Sequence, residues 1–236
     1  MKTCTLENYT DICPLLDVHD KVEGSFYFLM MMSFSYHKAD DFRFNLHAFI
    51  KSLREVTFML QNAKDKIRNF DKWYEQKQNE MKENLLLKKL SDSRTIIVHK
   101  SMLKPKSKIN VGLYRGRRLK LGIELPISNP FIDSQRLFNH YIPRFEKLGF
   151  IDEGHSALNE QLGIKRQWYC AQLGDEEILL TCYHAYQHIC GIVCEAHSFF
   201  GYEFIPQGFP EGYIDGVTVI LESDVNPSLP KKWGWI

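Results

Sequence analysis

The sequence predicts a mainly α protein: a helical bundle with a small β-hairpin region inserted or appended. Three observations point there. Phe42, Leu46, Phe49, Ile50, Leu53, Val56, Thr57 and Leu60 recur at steps of three and four, one apolar face of an amphipathic helix. A run from about Asp71 to Lys100 holds no Gly or Pro, and another from Asp175 to Phe200 is interrupted only by Gly191. Between them, Ile109 to Leu125 alternates loosely and is punctuated by Gly112, Gly116 and Gly122.

Composition sets the class. With 236 residues, 44% hydrophobic and 25% charged, the chain is long enough for one large or two small globular domains. The net charge is +1, so a polyanion site must be a local patch rather than a global property. Six cysteines, at 4, 13, 170, 182, 190 and 194, form no CxxC pair, which fits reduced thiols in a cytoplasmic protein. The apolar stretch Ser25 to Tyr36 is too short to span a bilayer and lies too far in, behind acids, for a signal peptide. No membrane partner is expected.

Taken in order, residues 1–21 read as an N-terminal arm, irregular or a short helix. The first amphipathic helix runs from about Asp40 to Lys66, with Asp40 and Asp41 at its positive end. The second spans about Asp71 to Lys100. Some of its apolar residues leave the stripe, so a break is expected near Asn84. Arg115-Gly116-Arg117 reads as a hairpin tip and Asn129-Pro130 as a turn. Ser134 to Leu148 reads as a short helix that Pro143 kinks or divides. Residues 151–174 are ambiguous. The long helix of 175–200 stops at Gly201, and Gly216 to Leu221 suits a strand. The expected organisation is an arm at 1–21, a helical core at 22–103, a basic hairpin at 104–130, and a C-terminal region at 131–236 whose long helix packs on the core.

Arg94 and His99 close the second helical run, in Leu90-Ser-Asp-Ser-Arg-Thr-Ile-Ile-Val-His99. Metal-independent RNA cleavage needs a base for the 2′-hydroxyl proton and an acid for the leaving oxygen, and His titrates in the right range for either. A guanidinium offers fixed donors to phosphoryl oxygens as charge builds. Five helical steps place the two residues roughly 140° apart, so the long Arg side chain, a distorted helix end or a second copy of the chain must close the gap. The plainer reading pairs Arg94 with Asp92 or Glu83 and leaves His99 as a favourable helix-end residue.

Arg-x-x-x-x-His at the end of a helix resembles the HEPN family. Asp71-Lys-Trp-Tyr-Glu-Gln-Lys-Gln-Asn-Glu-Met precedes it, and Phe44–Gln61 looks like the family's companion helix. The likeness covers roughly residues 22 to 103. It implies a HEPN-like helical core that pairs two-fold, with two Arg–His sets meeting in a cleft. It further implies a metal-independent endoribonuclease of toxin, antiphage-defence or RNA-processing type, or an inactive scaffold of the same shape. Arg94, His99 and Thr95 are then the catalytic candidates. Thr95 stands where active members commonly carry another polar residue, often Asn. The implied partners are RNA, a second copy as homodimer, and an antitoxin or regulatory protein. No cofactor is expected.

Between Lys100 and Lys120 there is no acid. Lys100, Lys104, Lys106, Lys108, Arg115, Arg117 and Arg118 are candidate phosphate contacts, and contacts of that type make binding salt-sensitive. The same charges would also protect an edge strand. The helix of 175–200 collects His184, His188, Cys190, Cys194 and His197 at usable ligand spacings. They lack the knuckle pattern of common zinc sites, and buried thiols explain them more simply, so no metal is assigned. Phosphate loops of the GxxxxGK type, GxSxG elbows and HExxH helices are absent, which argues against an ATPase, an α/β-hydrolase and a zinc protease. Three functional classes remain, and the first two are a HEPN-type endoribonuclease and a non-catalytic HEPN-like module that binds RNA, a nucleotide or a protein. A structural subunit docking through Phe26–Met32 is the third.

Overall fold

The computed structural model describes residues 2–4, 13–149 and 158–233. In chain order its elements are β1 (Lys2–Cys4), α1 (Leu16–Phe34), α2 (Ala39–Asn62), α3 (Phe70–Glu83) and α4 (Leu85–His99). Then come β2 (Lys106–Arg115), β3 (Arg118–Ile127), α5 (Ser134–Glu146), β4 (Glu160–Tyr169) and α6 (Ile178–Ser198). The chain closes with β5 (Tyr202–Phe204), α7 (Tyr213–Val217), β6 (Val219–Leu221), α8 (Glu222–Val225) and α9 (Leu229–Lys232). It is mainly α, with a small sheet. Among the described residues no helix is long and apolar enough to cross a membrane.

The chain forms two compact units, each assembled from three stretches. The first comprises Met1–Met32, Phe44–Lys104 and Cys170–Phe209; the second comprises Ser33–Arg43, Pro105–Tyr169 and Pro210–Ile236. Residues 1 and 5–12 of the expected N-terminal arm lie outside the described residues, as do 150–157 of the ambiguous segment and the last three residues of the tail. Helix α1 begins at Leu16, ahead of the expected end of the arm.

The first unit is helical. In α1, Val18, Val22, Phe26, Leu29 and Met32 are buried, one stripe at three- and four-residue steps. Within the Phe26–Met32 run, Phe26, Leu29 and Met32 are therefore interior, Phe28, Met30 and Met31 are partly buried and Tyr27 is exposed. In α2 the expected stripe is buried from Leu46 to Leu60. Phe26 packs on Tyr186 of α6, with ring centroids 5.4 Å apart. The break near Asn84 has a definite cause. Asn84 adopts an extended backbone, and its side-chain oxygen accepts the amides of Leu86 and Leu87 at 3.0 and 3.1 Å. One residue thus ends α3 and caps α4.

The second unit is built on a four-stranded antiparallel sheet of order β3-β2-β4-β6. The expected hairpin is there, with Arg115 opposite Arg118 and Gly116–Arg117 as a two-residue turn. Gly116 has φ of 55°, at the first central position where type II′ turns take glycine. The hairpin is not a freestanding appendage, because β4 pairs along the whole of β2. Gly112 lies between Gly122 and Gly163 in a row across three strands. A Cβ on Gly112 would come within 2.0 Å of the Leu121 carbonyl oxygen, so the strands approach there as only glycine allows. Ile109, Val111, Leu113, Leu162 and Ile164 form one core with Leu137, Phe138, Ile142 and Phe145 of α5. Pro143 neither divides nor ends α5, which continues to Glu146.

Strand β4 carries a charge inward. Arg166 is fully buried. Its guanidinium donates to the carbonyls of Pro130 and Ile132 at 2.6 and 2.7 Å and sits 3.7 Å from the centre of the Trp168 ring. Burial lowers its pKa to about 10. Carbonyl dipoles and an aromatic face compensate the charge.

Candidate functional site

A cavity of about 640 Å³ opens in the first unit among α2, α3, α4 and α6. Its floor is apolar: Ile50, Leu53, Leu90 and Ile189 all line it and are nearly fully buried. Its walls carry Arg54, Lys82, Lys88 and Arg94, against a single acid, Asp92. The Asn84 break shapes the site, since Gln78, Met81 and Lys82 come from α3 and Leu87, Lys88, Ser91 and Arg94 from α4. Leu87, Ser91 and Arg94 are spaced by four and three residues and share one face of α4.

Arg54 is held in place. It donates to the Thr57 hydroxyl and its guanidinium stands 4.5 Å from the centre of the Phe58 ring. Thr57 is itself anchored, because its hydroxyl donates to the Arg54 carbonyl at 2.9 Å and its own carbonyl accepts the Tyr74 hydroxyl at 3.1 Å. A guanidinium fixed on an aromatic face and aimed at a cleft suits an anion with planar oxygen geometry. An apolar floor under four cations suits a ligand with a flat apolar part and a phosphate.

The three catalytic candidates part company. Arg94 is half-buried and lines the cavity. Thr95 is exposed, and its hydroxyl donates back to the Ser91 carbonyl at 3.2 Å, a bond within the helix. His99 is exposed, is the last residue of α4 and does not line the cavity. Helix α4 is regular from Leu85 to His99, so no distorted end closes the angle between Arg94 and His99.

The basic strip also divides. Lys108 pairs with Glu124 at 2.8 Å, and the bond to Glu124 raises its pKa. Arg115 presents its Nε and terminal nitrogen to one oxygen of Glu160, at 3.1 and 2.7 Å. Arg117 reaches Asp224 at 3.0 Å and donates to the Val219 carbonyl. These three acids come from β3, β4 and α8, all outside the acid-free stretch. Lys100, Lys104, Lys106 and Arg118 are exposed.

Four of the Cys/His residues of α6 do not converge. His184 pairs with Glu176 at 3.3 Å, His188 approaches Asn84 at 3.5 Å, Cys190 is buried, and Cys194 donates to the Phe204 carbonyl. Among the described residues the one cluster with metal-ligand spacing is Cys4, Cys13 and His197. Sequence reading singled out Arg94 but missed Arg54, Lys82 and Lys88 as its companions. The one available signal was that Arg54 and Arg94 both belong to helices whose apolar stripes face a common core.

The family model of bacteriophage lambda protein ea47 matches residues 7–209. No curated protein and no solved structure matches the chain.

Proposed function

The chain belongs to the family of bacteriophage lambda protein ea47, whose name states no activity, and we propose from the geometry that it binds RNA through the cavity of Arg54 and Arg94. The observation that carries this reading is the placement of four cations from three helices around one apolar floor. A base would lie on Leu53, Leu90 and Ile189, and its phosphate would meet Arg54 and Arg94, with Lys82 and Lys88 reaching adjacent phosphates. Exposed Lys100 and Lys104 extend the basic character beyond the end of α4. The test is titration of labelled single-stranded RNA at several salt concentrations with wild type, Arg54→Ala and Arg94→Ala. Weakened binding and a shallower salt slope in both variants support the reading, whereas unchanged binding in both removes it.

A second reading is the HEPN-type endoribonuclease, acting as a toxin or defence effector. It is favoured by the exposure of His99 at the end of α4, where a second copy can reach it. In a homodimer Arg94 of one copy would hold the scissile phosphate while His99 of the other moves the proton. Incubating RNA with wild type, Arg94→Ala and His99→Ala in the presence of chelator separates the readings. Cleavage lost in both variants supports the nuclease, and binding without cleavage supports the module.

A further inference from the structure

We propose that Cys4, Cys13 and His197 form a zinc site that fastens the N-terminal strand to helix α6. The three side chains come from β1, from the turn ahead of α1 and from the last turn of α6, yet their ligand atoms all lie within 4.8 Å of one another. The Cys13 sulfur is 3.3 Å from His197 Nε2. A tetrahedral zinc with ordinary bond lengths would set sulfur and nitrogen about 3.6 Å apart and two sulfurs about 3.8 Å apart, so the Cys13–His197 pair at 3.3 Å needs only to open slightly to admit the ion.

The imidazole is already oriented for this role. His197 Nδ1 lies 2.8 Å from the Val193 carbonyl, an oxygen that can only accept, so Nδ1 carries the proton. The lone pair of Nε2 is thereby aimed at the thiols. A ligating histidine whose other nitrogen donates to a backbone carbonyl is the usual outer arrangement around zinc. The His197 ring is held further by stacking on Phe204, at 4.9 Å and 17°. Phe204 belongs to β5, which pairs in parallel with β1 and sets Cys4 directly beside it.

Donor chemistry selects the ion. Two thiolates and one imidazole favour zinc over magnesium, calcium or manganese. Cys4 and His197 are fully buried and Cys13 is half-buried, which describes a closed structural site rather than an open catalytic one. The fourth position falls to a water or to His19, whose ring centre is 6.2 Å from that of His197. This site is separate from the Arg54–Arg94 cavity, and neither depends on the other.

The experiment is metal analysis of the full chain purified without chelator, followed by replacement of zinc with cobalt(II). The expected result is one zinc per chain. The cobalt form should show thiolate-to-metal charge transfer and the visible bands of tetrahedral cobalt. Cys13→Ser and His197→Ala should lose the metal, while Cys194→Ser keeps it. Chelation should lower the melting temperature of wild type but not of Cys13→Ser. Absence of stoichiometric zinc and of the cobalt spectrum in wild type overturns the proposal without recourse to any variant. So does retention of full metal by a folded Cys13→Ser, or a wild-type mass showing a Cys4–Cys13 disulfide in place of the ion.

Discussion

Arg94 enters the cavity of the first unit, while His99, five residues further along the same regular helix, stands exposed outside it. The face of α4 that begins at Leu87 and passes through Ser91 and Arg94 continues to Val98, not to His99. Binding and proton transfer are therefore separable by mutation. Arg94→Ala should weaken RNA binding by about tenfold or more, as expected when one charge-assisted hydrogen bond is removed. His99→Ala and Thr95→Ala should leave affinity within about twofold, since neither side chain lines the site. Fluorescence anisotropy with a short RNA checks all three. A His99→Ala defect as large as that of Arg94→Ala would place the ligand elsewhere.

The strip from Lys100 to Arg118 should behave as two groups. Replacing Lys100, Lys104, Lys106 and Arg118 together should flatten the salt dependence of RNA binding, by about 0.7 in slope for each phosphate no longer neutralised. Replacing Arg115 instead removes the two-nitrogen grip on buried Glu160 and should cost about 1 kcal/mol of stability, since the arginine is half exposed. Denaturant titration beside the salt series tells these effects apart. If Arg115→Ala changes the slope and leaves stability alone, the division is wrong.

The joint between α3 and α4 rests on one side chain. Asn84→Ala removes the acceptor for two amides and should cost about 1 kcal/mol, while Asn84→Asp and Asn84→Ser should recover most of it. Because the cavity walls come from both sides of that joint, Asn84→Ala should also weaken RNA binding. Thermal melts and anisotropy on the three variants test the link.

His37 makes the second unit sensitive to acid. Its Nε2 donates to the Val217 carbonyl at 2.8 Å and its Nδ1 accepts from the Ser134 hydroxyl at 2.9 Å, so the ring is held neutral. Burial, reinforced by the charges of Arg166 and Arg117, lowers its pKa to about 4. The unfolded chain therefore takes up this proton at a higher pH than the folded one. The stability is fully present above about pH 6.5 and is lost as pH falls toward 4, to a limit of roughly 3 kcal/mol. His37→Gln should flatten this part of the profile in denaturant midpoints measured at pH 7 and pH 5. A residual slope belongs to His19 and His197 in the first unit, whose pKa values burial also lowers.

The parts legible in sequence were those whose signal is local. The α2 stripe, the mismatch at Asn84 and the Arg115-Gly116-Arg117 tip each follow from a few neighbouring residues. Strand β4 was not legible. Its inward positions are Leu162, Ile164, Arg166 and Trp168, and a buried charge in the apolar set breaks the alternation that marks a strand. The first turns of α1 were missed for the opposite reason: apolar residues on several faces hide the stripe from Val18 to Met32. The cavity was invisible because Arg54 and Arg94 are separated by a helix and a turn, and the Cys4–Cys13–His197 cluster because it spans nearly the whole chain. Nothing in local spacing announces a meeting of distant residues.

The interleaving of the two units has a consequence for synthesis. Helix α6, which supplies Tyr186 to the α1 packing and Ile189 to the cavity, leaves the ribosome only after the whole β2–β4 portion of the other unit. Helices α1 to α4 thus wait, with an apolar face uncovered, while roughly seventy residues are translated, a delay of several seconds. For this chain the order of assembly is written in the connectivity: the first unit to begin is completed only when its third stretch arrives.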